Sequence, residues 1–302
     1  MEYTNPQMPE GINASQEHPL KEFFWLSASL MTGLLVLVAV AVVLADTMVT
    51  RIPFHIERDL AARYISTTPA SPELDEYLNS LAARITRAQG MPEEMSVRIH
   101  YVNGDTINAF ATLGGHIFIF RGLLEKLPNE NALAMLLAHE IAHIKHRDPI
   151  RGLGRGVVIG MSLSMLSREA GSALLDRMLS QGSFLTLMKY SREQERAADR
   201  VALATVHTLY GHARGADTLF EVLLKTHGPD SGIELFRSHP RIMERIDKVR
   251  AAAEAPPGTT VTALPEGFAG WLKAEAPDPA EVIKLETERS FPLLPVALGM
   301  NR

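Results

Sequence analysis

The chain has 302 residues, of which 46% are hydrophobic and 22% are charged; this is the composition of a folded protein with a sizeable core. Its formal net charge is -5 and its Lys and Arg residues form no basic stripe, so we expect no nucleic acid among its partners. The sequence has no cysteine, which excludes disulfide bonds, a cysteine nucleophile and an anchor attached through cysteine.

An uncharged segment at residues 23–45 follows a polar, acidic tail at residues 1–22. As a helix this segment would be about 34 Å long, enough to cross a hydrocarbon core of about 30 Å. We therefore predict one transmembrane helix and a lipid bilayer as a partner. A cleaved signal peptide is the alternative, but its apolar core is usually only about 7–15 residues long. The few flanking Lys and Arg residues mildly favour a cytoplasmic domain after the span, and the side of the membrane stays open.

Residues 72–89 have the pattern of a helix that begins after Ser71-Pro72 and ends near Gly90. The alternating segment 97–102 predicts a strand, and segments 107–111 and 116–120 predict a hairpin around residues 112–115. The sequence therefore predicts an α+β fold that is mostly helical and has a small β-sheet.

A further helix is predicted where strong helix formers at residues 132–138 lead into His139-Glu140-Ile141-Ala142-His143. Residues four apart lie on one face of a helix, so the imidazoles of His139 and His143 can hold one zinc ion. Glu140 lies at the rim of that face, where it can act as a general base on a zinc-bound water. The alternative is a chance pair of histidines on a buried helix.

The ends of this helix are predicted by Asn129 as the N-cap and Pro149 as the stop. His146 is on the same face as the two candidate ligands, but it lies about 10 Å from His139 along the helix axis. One zinc ion cannot readily bind all three histidines, so we interpret His146 as a polar cap near the helix end. The remaining histidines, including His100 and His116, have no partner spacing and are interpreted as structural or exposed.

A second polar helix follows Ser191 and supplies a candidate third ligand, Glu195. Asp199 lies one turn later on the same face and can accept a hydrogen bond from the second ring nitrogen of a zinc histidine, which we expect to be His139. Taken alone, this segment also fits an exposed helix with salt bridges between its own side chains. Together with the first motif it favours a zinc site, although another divalent metal is not excluded by the residues.

Four ordered motifs resemble the zinc metallopeptidase family of HtpX, BepA and the CAAX prenyl protease, over roughly residues 60–250. They are Asn108-Ala109-Phe110-Ala111, His139-Glu140-x-x-His143, Tyr190-Ser191-Arg192-x-x-Glu195-x-x-x-Asp199 and Ser238-His239-Pro240. The resemblance implies a gluzincin fold in which His139, His143 and Glu195 bind one zinc ion, Glu140 is catalytic and Asp199 supports a ligand. The chain departs from the family pattern at Ala197, where a second acid is usual.

The resemblance also implies two groups that act on the substrate. His239 is the candidate stabiliser of the oxyanion, with Arg245 in support, and a helix cap with a surface arginine is the alternative. A strand of the small sheet borders the cleft in the family, so an extended substrate can add to it, with Asn108 as the candidate contact. Phe110, Ile117 and Ile119 are interpreted as core residues.

The chain is accordingly divided into the tail 1–22, the transmembrane helix 23–45, a metallopeptidase domain at 46–255 and a Pro-containing tail at 256–302. The Gly-, Ser- and Met-rich segment 150–185 contains an apolar run at 157–166 that is too short to span a bilayer. A lid over the cleft, a helix on the bilayer and a packed core helix are the alternatives, and the core helix is favoured.

The sequence thus predicts a single-pass zinc metalloendopeptidase in a bacterial-type inner membrane, with one zinc ion per chain and protein or peptide substrates. By resemblance, and because of the anchor, misfolded or membrane-associated proteins are the expected substrates. The alternative is a non-catalytic or latent chaperone or assembly factor that keeps zinc for structure. Glu140 argues against it, since a structural site needs no base beside an open coordination position.

Overall fold

The computed structural model describes residues 19–62, 70–167, 190–225, 242–256 and 258–273. Its elements, in chain order, are α1 (Pro19–Val49), α2 (Phe54–Ala61), α3 (Pro72–Ala88), β1 (Arg98–Val102), β2 (Ala109–Ala111), a 3-10 turn (Leu113–Gly115), β3 (His116–Phe120), α4 (Arg121–Leu124), α5 (Glu130–Lys145), α6 (Asp148–Leu166), α7 (Arg192–Tyr210), α8 (Ala216–Lys225), α9 (Ile242–Ala253) and α10 (Phe268–Trp271). The prediction of a mostly helical α+β fold with a small sheet is confirmed.

The sheet has three strands in the order β1-β3-β2. β1 pairs with β3 in parallel, and β2 pairs with β3 in antiparallel as the predicted hairpin. Gly114 and Gly115 have φ angles of 71° and 83° in the tight turn between β2 and β3, a backbone conformation that favours glycine. Because the strand order ends at β2, this strand is at an edge of the sheet, and it packs against α5.

α5 lies at the centre of the fold, packed against α3, α7, α8 and β2. Every residue from Glu130 to Ile144 is buried, which explains why this helix is apolar on all sides apart from its functional residues. Asn129 caps its start as predicted, accepting a hydrogen bond from the Ala132 N–H. α3 packs its buried leucines onto the same core: Leu74, Leu78 and Leu81.

The end of α5 corrects one prediction. α5 ends at Lys145, His146 is its C-cap, and Arg147 then adopts a left-handed backbone with φ 60°. Pro149 lies in the first turn of α6 instead of stopping α5, because a proline has no N–H to lose at that position. The sharp turn at Arg147 brings the start of α6 back beside the metal-site helix.

α1 extends beyond the predicted span of residues 23–45 and is long and apolar enough to cross a membrane. One stripe of α1 is half-buried, at Leu34, Val38, Ala45 and Val49, while its other faces are mostly exposed. α6 packs against α1. The Arg155 Nε atom lies 3.4 Å from the Asp46 carboxylate, and the preceding residue, Gly154, lies beside Val49. α6 thus runs back along α1, so the favoured interpretation of residues 157–166 as a core helix is wrong for the described part.

Packing continues beyond the boundary predicted at residue 255. Phe268 and Leu272 belong to the main hydrophobic core, and the Tyr101 hydroxyl donates a hydrogen bond to the Leu272 carbonyl at 2.7 Å. Thr262 pairs through its backbone with Glu130 and with the Asn131 side chain at the start of α5. The described part of the C-terminal tail is therefore packed on the domain as far as Leu272.

Candidate active site

Three side chains from α5 and α7 bring their ligand atoms together at the centre of the domain. The Nε2 atoms of His139 and His143 are 3.1 Å apart, and the carboxylate oxygens of Glu195 lie 3.6 Å and 3.5 Å from them. All three residues are buried. Ligands about 2.0–2.2 Å from a tetrahedral zinc ion are about 3.3–3.6 Å from one another. The three residues therefore fit one zinc ion.

The second ring nitrogen of His139 faces Asp199. The Nδ1 atom of His139 lies 3.1 Å from a carboxylate oxygen of Asp199, the contact that the sequence predicts. Arg245 in α9 donates to both Asp199 oxygens at 2.6 Å and also forms an ion pair with Glu195. Burial alone would raise the pKa of Asp199, but the hydrogen bonds from His139 and Arg245 outweigh it and lower that pKa to about 2. Asp199 is thus a fixed negative charge behind the metal site.

The second ring nitrogen of His143 faces a residue that the sequence analysis missed, Asp148. The Nδ1 atom of His143 and a carboxylate oxygen of Asp148 are 2.8 Å apart, and both side chains are fully buried. The other oxygen of Asp148 accepts a hydrogen bond from the Gln194 amide at 2.6 Å. Burial would lower the pKa of His143, but the hydrogen bonds to Asp148 and Glu195 raise it to about 9. When zinc is bound, Asp148 would accept the Nδ1 proton of His143 and so fix the tautomer that leaves Nε2 free for the metal.

The signal for Asp148 was present in the sequence as an acid five residues after His143. It carries little information there, because a residue five positions on does not share a helix face with His143. Only the left-handed turn at Arg147 brings the acid back to the imidazole.

Tyr190 belongs to the third motif, but no role of its own was predicted for it. Its ring stacks on the His143 ring with 3.8 Å between centroids. It closes one side of the site with apolar surface.

Glu140 is fully buried and contacts the edge strand. One of its carboxylate oxygens accepts a hydrogen bond from the Ala111 N–H at 2.8 Å. This hydrogen bond ties the carboxylate of the H-E-x-x-H helix to β2. Asn108, just before β2, is buried, and within the described residues its side-chain oxygen has no hydrogen-bond partner.

Two predicted substrate groups have different outcomes. His239 lies outside the described residues. Arg245 is buried behind the site, where its guanidinium contacts Glu195 and Asp199, and this is a supporting position for the ligands.

His100 and His116 are structural, which is one of the two interpretations given from the sequence, and they form a pair that their spacing does not reveal. The His100 Nε2 and His116 Nδ1 atoms are 2.8 Å apart, because β1 and β3 pair in parallel. Both rings are partly buried, and burial lowers the pKa of both. The pair lies in the sheet and is separate from the three candidate metal ligands.

A helix bearing H-E-x-x-H and a second helix bearing a glutamate at ligand distance define the gluzincin class of metallopeptidase folds. The chain belongs to Peptidase family M48, which matches residues 72–253. The resemblance stated from the four motifs is thereby confirmed. The matched residues contain β2, the H-E-x-x-H helix and the helix of Glu195.

Several relatives carry names that agree with this family. The beta-barrel assembly-enhancing protease of Escherichia coli (strain K12) is 27% identical over 195 residues, which cover 60% of this chain and 39% of that protein. The mitochondrial metalloendopeptidase OMA1 of Schizosaccharomyces pombe is 30% identical over 176 residues, which cover 57% of this chain and 51% of that protein. The chain thus spans about half the length of these relatives or less.

Proposed function

We propose that this chain is a membrane-anchored, zinc-dependent endopeptidase. The observation that carries the proposal is the spacing of the His139, His143 and Glu195 ligand atoms, at 3.1 to 3.6 Å, with Glu140 beside them. Zinc bound there would act as a Lewis acid and would lower the pKa of a bound water toward about 7. Membership of Peptidase family M48 supports the same reaction class.

Glu140 is the proposed general base. Its buried carboxylate would take a proton from the attacking water as the oxygen adds to the peptide carbonyl, and would pass that proton to the leaving amine. The hydrogen bond from the Ala111 N–H fixes one carboxylate oxygen, so the side chain is oriented before substrate arrives. His239 is the proposed donor to the developing oxyanion, from its place in the Ser-His-Pro motif.

The substrate is proposed to bind as an extended strand along β2. β2 is at the edge of the sheet and contacts Glu140 directly, so a peptide added there would run past the catalytic carboxylate. The side-chain oxygen of Asn108, which has no partner among the described residues, is the proposed acceptor for a substrate N–H. Because main-chain hydrogen bonds dominate such docking, we expect little sequence preference and infer unfolded segments as substrates.

The proposed setting is proteolytic quality control at a membrane. α1 is long and apolar enough to cross a bilayer, and it would hold the domain close to membrane-associated proteins. The relatives named as an assembly-enhancing protease and as a mitochondrial metalloendopeptidase support this class of role. Misfolded or surplus membrane-associated proteins are therefore the proposed physiological substrates.

The decisive experiment measures casein cleavage by the detergent-purified full chain and by its Glu140→Gln variant, with zinc quantified in both. We expect the wild type, and not the Glu140→Gln variant, to cleave casein, with one zinc ion per chain in both proteins. Glu76→Gln is the matched control, because Glu76 is exposed on α3, away from the site. If neither wild type nor variant cleaves while both hold zinc, the site is latent or structural, and the proposed activity is wrong.

A further inference from the structure

A polar cavity of about 610 Å³ lies where the end of α1 meets the start of α6 and the first turn of α7. Its wall includes Asp46 near the end of α1 and Thr50 just after that helix, Arg151 and Arg155 from α6, and Glu193 from α7. The candidate metal ligands do not line it. Asp148, which contacts His143, also lines the cavity, so the cavity adjoins the catalytic centre and shares this wall residue with it.

The position of the cavity relative to the apolar span indicates its surroundings. Asp46 directly follows the uncharged segment 23–45, and Thr50 lies about 6 Å further along the helix axis. The headgroup layer on each side of a bilayer is about 5–8 Å thick. If α1 spans the membrane, the mouth of the cavity is at the level of the phospholipid headgroups.

The charges in the cavity are unequally paired. Arg147 is occupied by the buried Glu57, and Asp148 is occupied by His143 and Gln194. Arg151 reaches Asp148 only at 3.8 Å, and within the described residues its buried Nε atom has no hydrogen-bond partner.

Arg155 is also weakly paired, since its Nε atom is 3.4 Å from Asp46 and 3.3 Å from the Arg151 carbonyl oxygen. Arg151 and Arg155 are four residues apart on α6, and like charges at this spacing repel each other. An anion between the two guanidinium groups would reduce that repulsion and would accept from the Arg151 Nε atom, which has no acceptor among the described residues. The size of the cavity suits a whole headgroup, since sites for small molecules are commonly about 300–1,000 Å³.

We propose that this cavity binds the headgroup of an anionic phospholipid, with its phosphate held between Arg151 and Arg155. The position of the cavity directly beyond the uncharged segment 23–45, at the level of the headgroups, favours a lipid over a free anion. The proposal rests on the membrane anchoring of α1 but is independent of peptidase activity.

Binding is measured with the full chain in neutral detergent micelles, by the fluorescence anisotropy of a labelled short-chain phosphatidylglycerol. The Arg151→Gln/Arg155→Gln double variant is expected to weaken binding by about tenfold or more. The matched control is Arg51→Gln/Arg58→Gln, which removes the same charge from two exposed residues near the membrane end of α1. It is expected to change the affinity by less than about twofold.

Asp46→Asn tests the same site in the opposite direction. This change removes the acid that competes for Arg155, so we expect several-fold tighter binding, a gain that a misfolded variant cannot imitate. The unfolding midpoint and zinc content of each variant are measured alongside. Equal affinity of wild type and the Arg151/Arg155 variant, or no gain with Asp46→Asn, overturns the proposal.

Two further measurements identify the source of the phosphate. Labelled phosphatidylcholine, which is zwitterionic, is expected to bind at least about tenfold more weakly than phosphatidylglycerol. Inorganic phosphate is expected to compete only at far higher concentration, and competition at equal concentration would show a site for a free anion and overturn the lipid proposal. Alkaline extraction of membranes tests the membrane anchor by itself, because an anchored chain stays in the membrane pellet. A failed anchor can therefore be told apart from a failed headgroup site and from a loss of casein cleavage.

Discussion

Replacing Asp148 with Asn is predicted to weaken zinc binding while leaving the fold intact. Asp148 is fully buried and accepts from two donors, the His143 ring at 2.8 Å and the Gln194 amide at 2.6 Å. Asn has the same shape but only one side-chain oxygen, so its amide nitrogen meets one of these donors. Gln194 cannot readily turn its amide, because its oxygen accepts from the Ser191 N–H at 2.9 Å in a capping box.

The expected loss follows from the role of such supporting acids. Removing the outer partner of a metal-binding histidine typically costs about 10- to 100-fold in metal affinity, and this corresponds to about 1.4–2.8 kcal/mol. The full loss of one charged hydrogen bond, about 1.5–3 kcal/mol, gives the same range. We therefore expect the dissociation constant for zinc to rise by a factor of about 10 to 100.

The assay is competition for zinc between the purified full chain and a chelator of known affinity, at fixed pH. The matched control is Asp59→Asn, since Asp59 is exposed on α2 and makes no contact with the metal site. Casein cleavage by Asp148→Asn should fall at limiting zinc and recover when zinc is added in excess. A dissociation constant within about twofold of the wild type, in a variant with unchanged unfolding midpoint, would refute the proposed role of Asp148.

Three further predictions concern stability. Arg245→Met should lower the unfolding free energy by about 3–5 kcal/mol in denaturant titrations, because it leaves two buried carboxylates without their cation; an unchanged midpoint would contradict this. Burial and the neighbouring His116 lower the pKa of His100 to about 3. Below about pH 6.5 the unfolded chain therefore binds a proton at His100 that the folded chain does not bind. The unfolding free energy falls as the pH falls, by at most about 1.4 kcal/mol per pH unit. His100→Phe should reduce this slope between pH 6.5 and 5, and an equal slope would exclude the pair as its source. Gly115→Ala places a Cβ atom 1.9 Å from a backbone oxygen at φ 83° and should destabilise by about 2–5 kcal/mol, whereas Gly211→Ala, with open space around it, should cost less.

Much of the fold and of the candidate metal site followed from local patterns in the sequence. The H-E-x-x-H spacing places both histidines on one face of a helix wherever that helix forms, and the acid pair Glu195 and Asp199 has the same property. Composition and turn signals likewise predicted α1, α3 and the β2–β3 hairpin, because each depends on residues close together in the chain. These predictions needed no knowledge of which elements meet.

The tertiary structure decided what those elements contact, and long-range packing is not encoded in a local pattern. Asp148 reaches His143 only because Arg147 turns the chain back, and Arg245 reaches the metal site from a helix about 50 residues beyond Glu195. The His100–His116 pair depends on strand register, which is set by the packing of the sheet. The sequence of α6 is short and mixes apolar with polar residues, so it does not reveal that the helix lies along α1 and forms the cavity there. That arrangement depends on the turn at Arg147 and on the half-buried stripe of α1.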